Sequence, residues 1–113
     1  MFGPTGNTGY AIACRNIIKC LLEQDVEIAL NTPKVQLHRQ DNELEILEPL
    51  IKRFKENFFH NAAQFSIWHQ FDLANSVGKG PYFALPIFEL NRFTKVEKHH
   101  LSYPDYLFVC SGW

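Results

Sequence analysis

The sequence predicts an open α/β fold in which helices flank a mainly parallel sheet. Three apolar runs with the length of buried strands lie at residues 65–68, 82–88 and 106–110, and segments of helical periodicity alternate with them. A glycine-rich loop at residues 3–9 opens the first helix, as in sheets that bind ligands beyond the carboxyl ends of their strands. At 113 residues, 46% of them hydrophobic, the chain has the size and composition of one domain with one core.

Composition and charge argue against several classes of partner and compartment. The formal net charge is -1 and the basic residues are interspersed with acidic ones, so the chain lacks the positive field that holds a nucleic-acid backbone. We therefore expect no nucleic-acid partner. No apolar run approaches the ~20 residues that span a bilayer, and no basic segment followed by an apolar one opens the sequence. These features predict a cytoplasmic protein, with peripheral association at the inner membrane face as an open alternative.

The three cysteines are predicted to be reduced core residues. Cys14, Cys20 and Cys110 are odd in number, have no Cys-x-x-Cys spacing, and each lies in an apolar run. A thiol in such a run behaves as a small hydrophobic group.

The first half of the chain predicts a helix, a strand and a second helix. Residues 10–24 have helical periodicity with Thr8 as the N-cap, and their expected apolar stripe faces a sheet. The stripe contains Ala13, Cys14, Ile17, Ile18, Cys20, Leu21 and Leu22. Residues 26–30 predict a strand that pairs in parallel with a very short first strand.

Two segments follow before the next strand. Residues 34–42 are polar and predict a surface connection. Residues 43–57 are periodic, but Pro49 has no N–H to donate, so we expect two short pieces or a kink, with Pro49 in a first turn.

The second half of the chain predicts three strands and one capped helix. Pro86 lies inside the run 82–88, which places that portion at an edge or outside the sheet. Thr94 and Glu97 have the capping-box spacing and open a helix that runs to Leu101. After a turn at residues 102–105, the uninterrupted apolar run 106–110 predicts a buried parallel strand.

Polar residues follow two of these strands where an ordinary core would not place them. His69 and Asp72 follow the first, and Glu89 and Arg92 follow the second. Because the carboxyl ends of parallel strands share one edge of the sheet, these side chains could converge on a crevice. Two structural alternatives stay open: a half-buried His69 satisfied by a carbonyl group, and a Glu89–Arg92 ion pair without a ligand.

Three further features could bind ligands. Gly6, Asn7, Thr8 and Gly9 form a loop at a helix N-terminus that could accept an anion, although such a loop is equally compatible with a tight turn. Lys79, between two glycines, could contact an anion or be solvated. The pair at positions 99 and 100, both histidine, lacks a third ligand at fixed spacing, so we expect a helix-surface pair and no metal site.

Five motifs, in order, carry a resemblance to a known family. They are Gly-Asn-Thr-Gly-Tyr-Ala from position 6, Ile-Trp-His-Gln-Phe-Asp from position 67, Gly-Lys-Gly from position 78, Pro-Ile-Phe-Glu-Leu-Asn-Arg-Phe from position 86 and Phe-Val-Cys-Ser-Gly-Trp from position 108. In order and position this set resembles the N-terminal domain of group 1 (family four) glycosyltransferases, which are retaining enzymes of the GT-B fold. The resemblance covers nearly the whole chain.

The resemblance implies a fold and an activity. The fold is a Rossmann-like three-layer α/β/α domain, the N-terminal half of a GT-B fold with its first strand truncated, so residues 1–113 are one truncated acceptor-side domain. The activity is transfer of a sugar from a nucleotide-sugar donor to an acceptor with retention, without a metal or other cofactor. A second, donor-binding domain would be the missing partner, and this chain alone would be inactive.

The resemblance also implies roles for individual residues. His69 would be catalytic at the floor of the cleft. Glu89, Arg92 and Asp72 would bind the acceptor. The loop Gly6, Asn7, Thr8 and Gly9 would face the donor diphosphate. A different class of function stays open, namely a non-catalytic α/β interaction module that forms a homo-oligomer through uncovered apolar faces.

Overall fold

The computed structural model describes residues 1–4, 8–32, 43–57, 59–70, 72–87 and 91–110. The predicted surface connection at residues 34–42 and the candidate residues Gly6, Asn7 and Glu89 lie outside these ranges. The chain divides into two compact units, Met1–Phe58 and Phe59–Trp113. In the described residues it is an α/β structure with helices and a three-stranded parallel sheet.

Helix α1, Gly9–Glu23, is capped at both ends. The Thr8 hydroxyl accepts a hydrogen bond from the Ala11 N–H at 3.3 Å, which confirms the predicted N-cap. At the C-terminus, Asp25 takes the left-handed conformation (φ 57°) and donates to the Leu22 carbonyl, while the Val26 N–H donates to the Leu21 carbonyl. These paired bonds form a Schellman motif, which turns the chain out of the helix.

The buried face of α1 differs from the predicted stripe. Its centre is Ala11, Cys14 and Ile18, and Cys20 is exposed. Nine residues at about 100° each place Cys20 roughly opposite Ala11 on the helix. The prediction that Cys20 belongs to the core is therefore wrong, whereas that for Cys14 is confirmed.

A short parallel ladder joins the N-terminus to the segment after α1. The Met1 ammonium donates to the Ala29 carbonyl at 2.7 Å, the Asn31 N–H to the Met1 carbonyl at 2.8 Å, and the Gly3 N–H to the Asn31 carbonyl at 3.1 Å. The predicted parallel neighbours are thus present. The pairing reduces to one bridge, Phe2 with Asn31, so residues 26–30 do not form the full strand expected. Pro4, which follows the ladder, has no N–H with which to continue it.

Helix α2, Glu43–Glu56, contains Pro49 in its interior, so the prediction of two short pieces with Pro49 in a first turn is wrong, and the alternative of a kink stays a prediction. Pro49 is exposed, while Leu47 and Leu50 beside it are buried. The helix is also hydrogen-bonded to the segment after α1, because the Leu30 N–H donates to the Leu50 carbonyl at 3.0 Å. Pro49 thus lies on the solvent side of a helix whose opposite face is buried, and its ring nitrogen leaves one intrahelical bond unmade.

The second unit contains the sheet. Strands β1 (Gln64–Trp68), β2 (Tyr82–Pro86) and β3 (Tyr106–Leu107) are parallel in the order β1-β2-β3. A 3₁₀ helix, Leu73–Asn75, lies between β1 and β2, and helix α3, Lys95–Ser102, lies between β2 and β3. The capping box of α3 is complete, with the Thr94 hydroxyl accepting from the Glu97 N–H and the Glu97 carboxylate accepting from the Thr94 N–H. The predicted positions of β1 and α3 are confirmed.

Two predictions about the strands need correction. The sequence predicted that the chain near Pro86 lies at an edge of the sheet or leaves it. Pro86 is the last residue of β2, which fits the second alternative, but β2 is the central strand of the described sheet and not an edge. Pro86 is tolerated there because it is the last ladder residue, and the next N–H, that of Ile87, returns to the Trp68 carbonyl. The run 106–110 is not buried: β3 has one neighbour in the described sheet, and its residues are exposed, as is Cys110.

Candidate functional site

The carboxyl ends of the parallel strands bring His69 next to the segment that follows β2. Trp68 is in register with Pro86, and the Ile87 N–H donates to the Trp68 carbonyl at 3.1 Å. His69 therefore leaves β1 beside Ile87, the residue that follows β2. Convergence of the His69, Asp72, Glu89 and Arg92 side chains stays a prediction, since Glu89 lies outside the described residues.

His69, Trp68 and Asp72 form a compact cluster at this edge. The half-buried His69 ring meets the Trp68 ring edge to face, with centroids 5.1 Å apart and planes at 71°. The Trp68 indole Nε1–H donates to Asp72 Oδ2 at 2.9 Å. Asp72 thereby fixes the indole, and the indole forms one wall for the imidazole. Of these three residues, sequence reasoning missed Trp68; a Trp four residues before an Asp, at a strand end, was the available signal.

The same cluster qualifies the predicted role of Asp72. One of its carboxylate oxygens is bonded to Trp68, so the residue has a structural function at the site. Contact with an acceptor stays a prediction for Asp72. It also stays a prediction for Arg92, which is exposed.

A buried amide connects the residue after His69 to helix α3. Gln70 is 7% exposed, and its Nε2 donates to Glu97 Oε1 at 3.1 Å. The other Glu97 oxygen accepts the Thr94 N–H at 2.7 Å. The backbone bond from Thr94, followed by the bond from Gln70, lowers the pKa of the Glu97 carboxyl below its usual value. An ionised Glu97 thus closes the capping box and holds the segment after β1.

His100 is not the surface residue that the sequence predicted. His99 is exposed as expected, but the half-buried His100 accepts a hydrogen bond from the Ala74 N–H to its Nδ1 at 3.0 Å. This bond joins α3 to the 3₁₀ helix. No local pattern in the sequence signals it, since 26 positions separate the two residues.

Tyr82 holds the same 3₁₀ helix from the sheet. Its buried hydroxyl donates to the Leu73 carbonyl at 2.8 Å and is hydrogen-bonded to Ser66 Oγ at 3.1 Å. Burial raises the pKa of the Tyr82 hydroxyl. The Tyr82 N–H donates to Asp105 Oδ2 at 2.8 Å, which anchors the turn before β3. Tyr82 therefore holds the connection that contains Asp72 through Leu73, while His100 holds it through Ala74.

The loop around Lys79 is shaped by its two glycines. Gly78 has φ 116°, and a Cβ on Gly80 would lie 2.0 Å from the Ala62 carbonyl oxygen. The Lys79 N–H donates to the His60 carbonyl at 2.6 Å. The glycines have a backbone role, and the exposed Lys79 side chain is compatible with both the solvated and the anion-binding alternatives.

The glycine loop is described only from Thr8 onward. Thr8 caps α1 and Gly9 is its first residue, so the described part acts as a helix start. These residues lie in the Met1–Phe58 unit, whereas His69, Asp72, Lys79 and Arg92 lie in the other unit. Anion binding by the loop stays a prediction.

Two features are absent from the described residues, a metal-binding group and a membrane-spanning helix. These residues contain no group of three or more His, Cys, Asp and Glu side chains that could hold a metal ion. No described helix is both long and apolar enough to cross a membrane.

Comparisons with known proteins give no family assignment. Neither the family models, nor the curated proteins, nor the solved structures contain a match to this chain.

Proposed function

We propose that this chain is the acceptor-side domain of a retaining glycosyltransferase, with a Rossmann-like three-layer arrangement in the assembled enzyme. The observation that carries the proposal is the position of His69, at the carboxyl edge of a parallel sheet and against Trp68, with the segment after β2 beside it. Ligands of open α/β sheets bind at this edge. The five ordered sequence motifs supply the reaction class, and a second domain would supply the donor site.

The proposed reaction needs groups that stabilise charge. The bond between the sugar C1 and the donor diphosphate oxygen breaks, the acceptor oxygen bonds to C1 on the same face, and the acceptor proton passes to the leaving diphosphate. Positive charge develops on the sugar and negative charge on the diphosphate. An imidazole at the edge of the sheet can donate to a sugar hydroxyl or a phosphate oxygen near neutral pH. His69 takes this role in the proposal.

Other candidate residues have supporting roles in the proposal. Glu89 and Arg92 bind acceptor hydroxyl groups, with Asp72 beside them. Lys79 and the loop containing Gly6, Asn7, Thr8 and Gly9 face the negative diphosphate, where a lysine and backbone amides are favourable partners. The proposal includes no metal or other cofactor.

The test is donor turnover by the longest natural polypeptide that contains residues 1–113. Consumption of nucleotide sugars is followed by mass spectrometry with wild type, His69→Ala and the exposed-site control His99→Ala. We expect His69→Ala to lower kcat by about 10²-fold or more, in the range measured for a proton-transfer or charge-stabilising group, and His99→Ala to match wild type. Circular dichroism checks that both variants fold. Wild-type turnover by folded His69→Ala, or no turnover of any nucleotide sugar by wild type, would contradict the proposal.

A second candidate function has one observation in its favour. Strand β3 and the two residues after it expose large apolar side chains. A non-catalytic module that pairs with another copy of itself would cover such an edge. This candidate predicts concentration-dependent association and no donor turnover.

A further inference from the structure

Two hydrogen bonds tie helix α3 to the connection that carries His69. Gln70 Nε2 donates to Glu97 Oε1 at 3.1 Å, and the Ala74 N–H donates to His100 Nδ1 at 3.0 Å. Glu97 and His100 are three residues apart, so they share one face of α3. The residues they hold, Gln70 and Ala74, lie on either side of Asp72. We call these two bonds the α3 clamp.

The two acceptors of the clamp are a carboxylate oxygen and an imidazole nitrogen. A backbone N–H can donate only to a ring nitrogen that has no proton, so the bond from Ala74 requires the His100 tautomer with Nδ1 unprotonated. The hydrogen bonds to Glu97 lower the pKa of its carboxyl and so favour the ionised form that accepts them.

We infer that Glu97 and His100 are positioning residues that hold the connection after β1, with its 3₁₀ helix, against α3. The connection contains His69 and Asp72, so the clamp controls the geometry of the candidate site. Its effect on sugar transfer rests on the proposed function, whereas the clamp itself is a property of the folded chain.

The first measurement is nitrogen NMR on the uniformly ¹⁵N-labelled chain. At pH 7.5 we expect the His100 Nδ1 resonance of an unprotonated ring nitrogen. The hydrogen-exchange protection factor of the Ala74 amide, corrected for intrinsic exchange, should be about tenfold lower in His100→Leu than in wild type, as one lost hydrogen bond implies. The Trp68 indole N–H resonance should shift in the same variant, because its partner Asp72 lies on the released connection.

Variants separate the clamp from general loss of structure. His100→Gln offers a carbonyl oxygen that accepts the bond, so we expect it to retain the protection of Ala74. His100→Leu should lose that protection, and His99→Gln should behave as wild type. A protonated Nδ1 at pH 7.5, or unchanged Ala74 protection in His100→Leu, would overturn the inference. If His100→Leu does not fold, unchanged Ala74 protection in folded His100→Ala overturns it.

The outcomes for the clamp and for the proposed function are independent. A normal clamp together with wild-type turnover in His69→Ala would remove the glycosyltransferase proposal and leave the clamp. If Ala74 protection does not depend on His100 but His69→Ala loses turnover, the clamp is removed and the glycosyltransferase proposal stands.

Discussion

Cys14 and Cys20 lie six residues apart on α1, yet the fold gives their thiols opposite environments. Cys14 is 1% exposed, and burial raises the pKa of its thiol to about 11, while Cys20 is exposed. Only a thiolate attacks a disulfide reagent, so Cys14 is protected both by lack of access and by its protonation. Equivalent placement in apolar runs of the sequence therefore does not imply equivalent chemistry.

We predict that Ellman's reagent at pH 8 modifies two thiols rapidly, those of Cys20 and Cys110, and the third only as the protein unfolds. At pH 8 the Cys14 thiol, with a pKa of about 11, is almost entirely protonated as well as buried, so its reaction requires unfolding. Cys20→Ala should leave one fast thiol, and Cys14→Ala should abolish the slow phase without changing the fast one. Three thiols reacting at one rate in native protein would contradict the burial of Cys14.

At the scale of elements, the β1–β2 connection requires glycine at position 80, where the neighbouring backbone leaves no room for a side chain. A Cβ on Gly80 would lie 2.0 Å from the Ala62 carbonyl oxygen, and that contact is with backbone. Gln64, the first residue of β1, holds the same turn through bonds to the Pro81 and Gly80 carbonyls. The start of the parallel pair therefore requires the close approach of these two backbone segments.

We predict that Gly80→Ala lowers the free energy of unfolding by about 1–3 kcal/mol, because backbone must move to admit the methyl group. Gly9→Ala is the matched control. A Cβ there meets nothing within 4 Å, and the position starts α1, so alanine should be neutral or stabilising by up to about 1 kcal/mol. Urea denaturation of both variants gives the comparison, and equal stabilities would show that the turn opens at little cost.

The elements also show what the sequence can predict. The capping box of α3 is local, since Thr94 and Glu97 meet within one turn, and it was predicted correctly. The face of α1 and the continuity of α2 through Pro49 depend on which side is buried by other segments, which periodicity alone left ambiguous. The run 106–110 has the apolar composition of a buried strand, but its burial depends on a second neighbour that the described sheet does not provide.

At the scale of the whole molecule, the sequence predicts those parts of the candidate site that are local and misses the contacts between distant residues. His69 and Asp72 were predicted as candidates because polar residues directly follow an apolar strand, a signal that spans a few positions of the sequence. The bonds from Glu97 to Gln70 and from Ala74 to His100 join residues 27 and 26 positions apart. Which polar groups meet across such distances follows from strand order and helix packing, so no local pattern in the sequence contains them.

In the described sheet β3 has a neighbouring strand on one side only, and its other edge is open to association with a second copy. Tyr106, Leu107, Phe108 and Val109 are 58%, 43%, 50% and 58% exposed, and residues 106–110 contain no charge and no proline. The Phe108 N–H is bonded to the Ala84 carbonyl, so by alternation the N–H and carbonyl of Leu107 face the open edge. Edge strands that avoid association usually carry charged residues or proline, which this strand lacks.

We therefore predict that the chain self-associates through β3, with two copies pairing in antiparallel fashion about Phe108. That arrangement places Leu107 opposite Val109 of the partner subunit and involves no like charges, and the net charge of -1 opposes association weakly. Sedimentation velocity from about 10 to 500 μM should show a rising dimer fraction in wild type. Leu107→Lys should stay monomeric, because a lysine ammonium would lose its hydration at the paired edge. Val96→Lys, at a 64% exposed position on α3, is the control and should associate as wild type does. Wild type that sediments as a monomer throughout would exclude β3 as a self-association surface and, with it, the second candidate function.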